Sequence, residues 1–271
     1  MTMIKRFLLG ALVLVAFIGA VPKQPSAQES VIETIQQRGA LVVGLATFVP
    51  WAMLDKDGEL IGFEIDVAKK LAADMDVDVE FVPTAWDGII PALLAGKFDV
   101  IISGMTITAQ RNVTVNFSDP YAFSGMRLVA AKKHEGTLTA IEDFDSPDIT
   151  FSLRRGSTPV AYARENFPKA NINLFDDDGA SILEVVNGNA DATLGYEPNP
   201  STWVIDYPDQ AYIVSDEFLN PGAEGFALRK GDPDALNFFN NWIAANWRNG
   251  FLQDRNNYWF RSLDYTDQLP E

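Results

Sequence analysis

The segment Ser103–Arg111 carries side chains that could bind a small zwitterion. It follows an apolar run with strand character, and ligand sites in open α/β sheets lie beyond the carboxyl ends of the strands. Thr108 suits the N-cap of a short helix, which places Arg111 in the first turn of that helix. A guanidinium can bind a carboxylate through two parallel hydrogen bonds, and the Thr106 hydroxyl can donate another. The Gly104 carbonyl can accept from a ligand ammonium. A surface ion pair is the competing interpretation of Arg111.

A second candidate site for an anion lies at 156–159, between a predicted strand and a predicted helix. Backbone N–H groups at a helix N-terminus attract negative charge. The hydroxyls of Ser157 and Thr158 could add hydrogen bonds to the same anion. The alternative is an ordinary helix cap, in which the hydroxyl binds the backbone of its own helix.

Aromatic residues occupy loop positions close to the predicted strand ends. Phe48 follows the first strand, and Trp86 opens a helix after a loop. A large ring at such a junction is less easily buried than one inside a regular element, which favours a binding role for Trp86. Core packing is the alternative for both rings, and Trp51 fits either interpretation.

The elements that would position these residues alternate between strands and helices. Apolar runs at 40–46 and 98–102 are typical of strands, and the same order returns after the middle of the chain with strands at 149–153 and 192–194. A long amphipathic helix is predicted at 234–249. Strands that alternate with helices predict an α/β fold with a largely parallel sheet.

Composition excludes several classes of function. The chain has no cysteine, which rules out disulfides, thiolate metal sites, cysteine nucleophiles and the lipid-bearing cysteine of a bacterial lipoprotein. The net charge of −16 argues against nucleic acid as a partner. One histidine leaves little for a histidine-based metal site or a catalytic triad. We therefore expect no metal, no cofactor and no catalytic residue.

The first 27 residues have the layout of a secretory signal peptide. Lys5 and Arg6 precede an uncharged apolar run at 7–21, which is shorter than the roughly 18–20 residues that span a bilayer. Ala27 is the expected cleavage position, with Ala20 as the alternative. A membrane anchor at the N-terminus is the competing interpretation. We expect an exported protein in the periplasm.

Two longer stretches carry a family resemblance. The sequence reads GFEIDVAKKLAADM from Gly62 and WDGIIPALLAGKFDVIISGMTITAQRNVTVNFSDPY from Trp86. These stretches closely resemble the signature regions of the family 3 extracellular solute-binding proteins, which deliver polar amino acids to ATP-driven importers. The resemblance extends from about Val31 to Trp259. It implies an α/β, two-lobed periplasmic-binding-protein fold of type II, in which two hinge strands join two sheet-and-helix sandwiches.

The resemblance also implies where the lobes divide. Residues 28–124 would form the first part of lobe 1, residues 125–220 lobe 2, and residues 221–271 the return to lobe 1 with the C-terminal helices. The hinge strands would lie near 121–128 and 220–227. The two lobes would close on the ligand like a jaw.

By resemblance, the ligand site draws on both lobes. Lobe 1 would hold the ligand carboxylate with Arg111 and Thr106, and lobe 2 would approach from the opposite side. The candidate ligand-binding residues are Phe48, Trp86, Ser103, Gly104, Thr106, Arg111, Ser157, Thr158, Tyr196 and Glu197. Tyr121 and Glu64 are further candidates.

One position departs from the family pattern. The family usually places an aspartate after the strand near residue 192, where it binds the ligand's α-ammonium, and here Tyr196 stands in its place with Glu197 next. Either Glu197 takes this role through a local shift, or the site lacks the carboxylate. In the second case Phe48, Trp86 and Tyr196 could form an aromatic cage for a quaternary or delocalised cation, as in a betaine- or ectoine-like zwitterion.

The expected function is ligand capture for an ABC importer. The predicted protein is a monomeric, non-catalytic receptor that closes on a small amino acid or amino-acid-like zwitterion and passes it to the importer's permease. The competing hypothesis is an enzyme similar to cyclohexadienyl dehydratase, which has this same fold. There Glu197 or another acid of the cleft would need a raised pKa to act as general acid. A sensor domain of a membrane kinase is a third alternative.

Overall fold

The computed structural model describes residues 29–262 and 264–269. The predicted signal peptide at 1–27 lies outside this range. Among the described residues, no helix combines the length and the apolar character needed to cross a membrane. The architecture consists of two larger sheets with helices packed against them, and one small hairpin sheet.

The strands are short, apart from one of ten residues. In chain order they are β1 (Ala40–Leu45), β2 (Met53–Leu54), β3 (Leu60–Ile61), β4 (Asp78–Pro83), β5 (Val100–Ile101), β6 (Asn116–Phe117), β7 (Ala122–Ala131), β8 (Thr150–Arg154), β9 (Asn171–Phe175), β10 (Ala192–Tyr196), β11 (Ala211–Ile213), β12 (Asn220–Glu224) and β13 (Ala227–Leu228).

Helices follow or precede most of these strands, and short polar residues cap several of them. Ser30, Thr108 and Asp177 each accept a hydrogen bond from a backbone N–H in the first turn of the helix that follows. In chain order the α-helices are α1 (Val31–Arg38), α2 (Phe63–Asp74), α3 (Ile89–Leu94), α4 (Ala109–Asn112), α5 (Thr158–Asn166), α6 (Asp178–Val186), α7 (Asn199–Asp206), α8 (Pro233–Arg248) and α9 (Phe251–Arg261).

The first sheet has the strand order β4-β1-β5-β13-β6. β1 pairs in parallel with both β4 and β5, so the carboxyl ends of these three strands lie at one edge. β13 joins the sheet antiparallel to β5 and β6. Leu41 of β1, Phe63 of α2 and Phe239 of α8 are fully buried in the core on this sheet.

The second sheet has the order β11-β7-β10-β8-β9, and β12 also pairs with β7. β8 runs parallel to β9 and β10, whereas β7 is antiparallel to β10, β11 and β12. A separate apolar core, which includes Phe144, Phe151 and Leu194, packs against this sheet. Each sheet therefore has its own hydrophobic core.

Two antiparallel strands carry the chain between the sheets. β7 follows β6 of the first sheet and begins the second sheet. β12 leads from the second sheet back to β13 of the first. The two strands pair from Asn220 opposite Met126 to Glu224 opposite Ala122. These strands contain most of the predicted hinge positions, while the lobe boundaries 28–124, 125–220 and 221–271 stay a prediction.

The strand ends bring the candidate site residues to facing edges of the two sheets. Phe48 follows β1, Trp86 follows β4, and the segment that begins at Ser103 follows β5. On the second sheet, Ser157 follows β8, and Tyr196 is the last residue of β10. Parallel pairing is the reason that loops distant in the sequence meet at one place.

Candidate ligand-binding site

A cavity of about 60 Å³ lies between the two sheets, at the carboxyl ends of their parallel strands. The predicted site residues that line it are Phe48, Trp86, Gly104, Thr106, Ser157, Thr158 and Tyr196. Arg154, Asp178 and Glu224 also line the cavity, and the sequence patterns did not indicate them. Residues of both sheets therefore form its wall.

Arg111 lies beside the cavity and connects the two sheets. The Thr108 hydroxyl accepts the Arg111 N–H at 3.2 Å, which confirms the predicted N-cap of α4. The Arg111 guanidinium donates from Nη1 to the Thr106 carbonyl at 2.9 Å and from Nη2 to the Gly156 carbonyl at 3.3 Å. Burial lowers the pKa of Arg111 to about 10, which still leaves the side chain charged at neutral pH. It can therefore bind an anion.

The Ser157 hydroxyl lines the cavity without a partner. Ser157 is the N-cap residue of α5, yet its side chain makes no capping hydrogen bond. Its Oγ is buried and has no hydrogen-bond partner among the described residues. The Ser157 hydroxyl therefore does not act as an ordinary helix cap in this structure. A buried hydroxyl without a partner costs free energy, which a ligand oxygen would recover.

The two predicted aromatic residues flank a guanidinium of the protein itself. Arg154 Cζ lies 4.2 Å from the centre of the Trp86 ring and 5.3 Å from that of Phe48. Trp86 also crosses between the sheets, since its Nε1 donates to the Gly156 carbonyl at 3.2 Å. The sequence carried one signal for Arg154, a charged residue at the end of the otherwise uncharged strand β8.

Tyr196 and Glu197 lie in different surroundings. The Tyr196 hydroxyl accepts a hydrogen bond from Asn220 Nδ2 at 3.0 Å, at the wall of the cavity. The Glu197 carboxylate is not part of that wall. It pairs with Arg127 Nε at 2.6 Å and accepts from the Ser201 hydroxyl at 2.9 Å. The structure thus does not bring Glu197 together with the other predicted site residues.

Glu224 supplies a buried carboxylate to the cavity from the end of β12. Its Oε1 accepts from the Ser124 hydroxyl at 2.6 Å, and its Oε2 has no partner among the described residues. Burial raises the pKa of Glu224 to about 7. The signal in the sequence was an acidic residue within a predicted hinge strand, where a strand borders the cleft on its way between the lobes.

A buried network behind the cavity holds Gly104. The Gly104 N–H donates to the Tyr121 hydroxyl oxygen at 3.0 Å, and that hydroxyl donates to Glu64 Oε1 at 2.8 Å. Desolvation raises the pKa of Glu64 to about 8. Ser103 does not line the cavity. Its hydroxyl is buried and accepts the Ala46 N–H at 2.8 Å. These side chains position the site.

The charged groups at the cavity suit the binding of a zwitterion. Arg111 and Arg154 offer two cations, of which Arg154 already pairs through Nη1 with Asp178, and Glu224 offers a carboxylate with a free oxygen. This arrangement of charges can pair each end of a small dipolar ligand with an opposite charge.

Within residues 29–262 and 264–269, no group of three or more histidine, cysteine, aspartate or glutamate side chains could hold a metal ion.

Residues 41–262 match the bacterial extracellular solute-binding proteins, family 3. The chain belongs to this family. The crystal structure of an ancestral amino acid-binding protein, a precursor of cyclohexadienyl dehydratase, matches this family 3 protein with a TM-score of 0.81 and 39% sequence identity, over 86% of this chain and 100% of that one. The two sheets with their helices are thus the lobes of the type II periplasmic-binding-protein fold.

Named relatives of this family 3 protein include a binding protein and an enzyme. The L-cystine-binding protein of Escherichia coli (strain K12) is 30% identical over 247 residues, which is 91% of this chain and 92% of that protein. The cyclohexadienyl dehydratase of Pseudomonas aeruginosa is 26% identical over 264 residues, 94% of each chain. The receptor hypothesis and the enzyme hypothesis therefore each have a relative that matches over nearly its full length.

Proposed function

We propose that this family 3 protein is the periplasmic receptor of an ABC importer and that it binds a small amino acid. The observation that carries the proposal is the approach of Arg111 to the second lobe at Gly156, next to the unpartnered hydroxyl of Ser157. A ligand carboxylate at this place would bind groups of both lobes. Binding would then favour the closed state through contacts that exist only when the lobes are closed.

The two ends of the ligand have separate partners in this proposal. The α-carboxylate binds the Arg111 guanidinium and the hydroxyls of Thr106, Ser157 and Thr158. A carboxylate is a stronger acceptor for a guanidinium than the backbone carbonyls that Arg111 contacts in this structure. The α-ammonium donates to the free Oε2 of Glu224, which replaces the family's aspartate.

A quaternary ammonium ligand fits the cavity less well than an amino acid. The predicted cage needs Phe48 and Trp86 to surround the ligand cation, but these rings already flank Arg154. A quaternary ammonium also has no N–H to donate to Glu224. The same argument makes a primary ammonium the better partner for this cavity.

A ligand screen tests the proposal. Thermal unfolding of residues 28–271 is measured with the twenty amino acids, L-cystine, glycine betaine and ectoine. A ligand at about 100 times its Kd adds roughly 2.7 kcal/mol to the free energy of unfolding, which raises the Tm by degrees. A Tm shift with one or a few α-amino acids supports the proposal. A shift with betaine or ectoine alone, or with no compound, contradicts it.

Transport is tested in the producing bacterium. Deletion of the gene should abolish high-affinity uptake of the labelled amino acid found in the screen. Re-expression of the wild-type protein should restore uptake, and re-expression of the Arg111→Ala variant should not. Normal uptake after deletion would contradict the importer role while leaving ligand binding intact.

A dehydratase is the second candidate function, favoured by one observation. Glu224 is a buried carboxyl with a pKa of about 7 in the cavity, a value suited to a general acid. It could protonate the ring hydroxyl of a substrate whose side-chain carboxylate is bound by Arg111. The C–O bond then breaks and water leaves, while the ring carboxylate leaves as CO2 and its bonding electron pair makes the ring aromatic. Product formation from arogenate or prephenate that is lost in Glu224→Gln would favour the enzyme. Absence of product at high protein concentration would remove this candidate.

A further inference from the structure

Arg154 has a buried position that the proposed roles of the other residues do not explain. Its side chain lines the cavity, is only 5% exposed and lies against Trp86. Nη1 donates to Asp178 Oδ2 at 2.8 Å. The other two guanidinium nitrogens, Nε and Nη2, have no hydrogen-bond partner within the described part of the chain.

The two free nitrogens of Arg154 form one edge of the guanidinium plane. Such an edge presents two parallel N–H groups, the arrangement that binds a carboxylate through paired hydrogen bonds. Burial of these donors without an acceptor costs free energy. Asp178 contacts only the remaining nitrogen, so its carboxylate does not satisfy this edge. The free edge of Arg154 therefore points to an anionic group that belongs to the ligand.

Both arginines of the site lie close to the same aromatic ring. Cζ of Arg111 lies 5.4 Å from the centre of the Trp86 ring, and Cζ of Arg154 lies 4.2 Å from it. In the proposed function, the α-carboxylate uses Arg111 and the α-ammonium uses Glu224. Arg154 is then the cation that remains. Asp178 pairs with its Nη1 alone, so the edge formed by Nε and Nη2 can take a second carboxylate.

We infer that the ligand is an amino acid that carries a second carboxylate, and that Arg154 is the residue that selects it. This inference rests on the proposed function, since it assumes that the α-carboxylate binds at Arg111. L-glutamate and L-aspartate are the simplest members of the class. If the ligand were lysine or arginine, its side chain would place a second cation beside the Arg154 guanidinium, which already lies against the Phe48 and Trp86 rings.

Acid and amide pairs isolate the contribution of the second carboxylate. Calorimetry of the wild-type protein compares L-glutamate with L-glutamine and L-aspartate with L-asparagine, which have nearly the same shape. The twenty amino acids and L-cystine complete the panel. The tightest ligand should carry two carboxylates and bind at least about tenfold more tightly than its amide counterpart, where one exists, because hydrogen bonds between charged groups are the stronger kind.

A matched pair of arginine variants assigns this preference to Arg154. Arg154→Met removes the charge and keeps a long apolar side chain, and Arg155→Met is the control because Arg155 is half exposed and does not line the cavity. Arg154→Met should weaken binding of the acid at least about tenfold more than binding of the amide, since only the acid uses the guanidinium. Arg155→Met should bind both as the wild type does.

The outcomes separate this inference from the proposed function. Tightest wild-type binding of an amino acid with a single carboxylate would overturn the inference and support the proposed function. Equal loss of acid and amide binding in Arg154→Met would overturn the selecting role. Absence of binding by every amino acid would overturn both. The wild-type comparison of acid and amide stands even if Arg154→Met fails to fold.

Discussion

At the scale of single residues, the site is a group of buried polar atoms whose hydrogen bonds are incomplete. Within the described part of the chain, hydrogen-bond partners are missing for Ser157 Oγ, Asn199 Oδ1, Glu224 Oε2, two nitrogens of Arg154 and Arg127 Nε. Folded proteins rarely leave such atoms unsatisfied, and here all of them except Arg127 Nε belong to residues that line one cavity. Their concentration in one place is typical of a binding site rather than of an ordinary polar core.

Arg111→Ala should weaken binding of the amino acid found in the screen by at least about 30-fold, because removal of one partner of a buried charge pair costs roughly 2–5 kcal/mol. Titration calorimetry measures the Kd. Arg248→Ala is the control, since Arg248 is an exposed arginine of the same charge at the end of α8. Equal affinity of Arg111→Ala and the wild type would show that Arg111 does not bind the ligand.

At the scale of elements, the site depends on how loops leave the strands. Gly104 follows β5 with a φ of +56°, a left-handed backbone that glycine adopts most readily. A Cβ at this position would lie 2.8 Å from Phe48 Cζ and 3.1 Å from Trp51 Cε3. The turn after β5 therefore needs glycine both for its backbone and for the space beside the rings.

Gly104→Ala should reduce ligand affinity at least about tenfold and lower the Tm, because the new methyl group must displace the Phe48 ring at the cavity wall. Gly136→Ala is the matched control. Gly136 also has a positive φ, but a Cβ there would meet no atom within 4 Å. Calorimetry and thermal unfolding compare the two variants. Equal affinities would contradict the steric role of Gly104.

Helix caps allow a second test at this scale. Ser157→Ala should not lower the Tm, because its buried hydroxyl makes no capping bond and has no other partner among the described residues, but it should weaken ligand binding. Asp177→Ala should lower the Tm and leave ligand binding unchanged. Asp177 Oδ1 accepts the Ala180 N–H at 2.7 Å, so its loss should lower the free energy of unfolding by about 1 kcal/mol. A Tm loss in Ser157→Ala equal to that in Asp177→Ala would contradict the proposed ligand role of Ser157.

At the scale of the whole molecule, two separate cores are joined by the paired strands β7 and β12. The carboxylates of Glu64 and Glu224 lie close to this junction and are both buried. Burial favours the protonated form of each, which raises the pKa of Glu64 to about 8 and that of Glu224 to about 7. The stability of the fold should therefore depend on pH.

The free energy of unfolding should contain a contribution from Glu64 that falls as pH rises. Unfolded chains release this proton near the ordinary pKa of 4.5, whereas the folded protein keeps it until about 8. Between these two pH values the folded state binds more protons than the unfolded state. The contribution of Glu64 to the free energy of unfolding is therefore highest below pH 4.5, and it is lost as pH rises through 8.

Glu64→Gln removes this titration and keeps an oxygen that can accept from Tyr121. The stability of the variant relative to the wild type should therefore increase with pH over this interval. Urea unfolding at a series of pH values measures the difference, with the exposed Glu59→Gln as control. A difference that does not change with pH would show that Glu64 titrates as an ordinary carboxyl.

Local patterns predicted the regular elements closely. The strand predicted at 40–46 is observed as Ala40–Leu45, and the helix predicted at 234–249 as Pro233–Arg248. The strand predicted at 98–102 is only Val100–Ile101, because just these two residues pair with β1. Apolar periodicity depends on neighbours in the sequence, whereas the ends of a strand depend on the partner strand.

Short segments were enough to predict the family, the order of the elements, the cap at Thr108 and most of the candidate residues that line the cavity, because each of these depends on neighbours in the sequence. The packing of distant segments sets which carboxylates face the cavity. Neighbouring residues at the end of a strand point to opposite sides, so Tyr196 lines the cavity while Glu197 pairs with Arg127. Glu224 and Arg154 reach the cavity because the pairing of β12 with β7 and of β8 with its neighbours brings distant segments together, and the local signals at these two residues do not show that they meet.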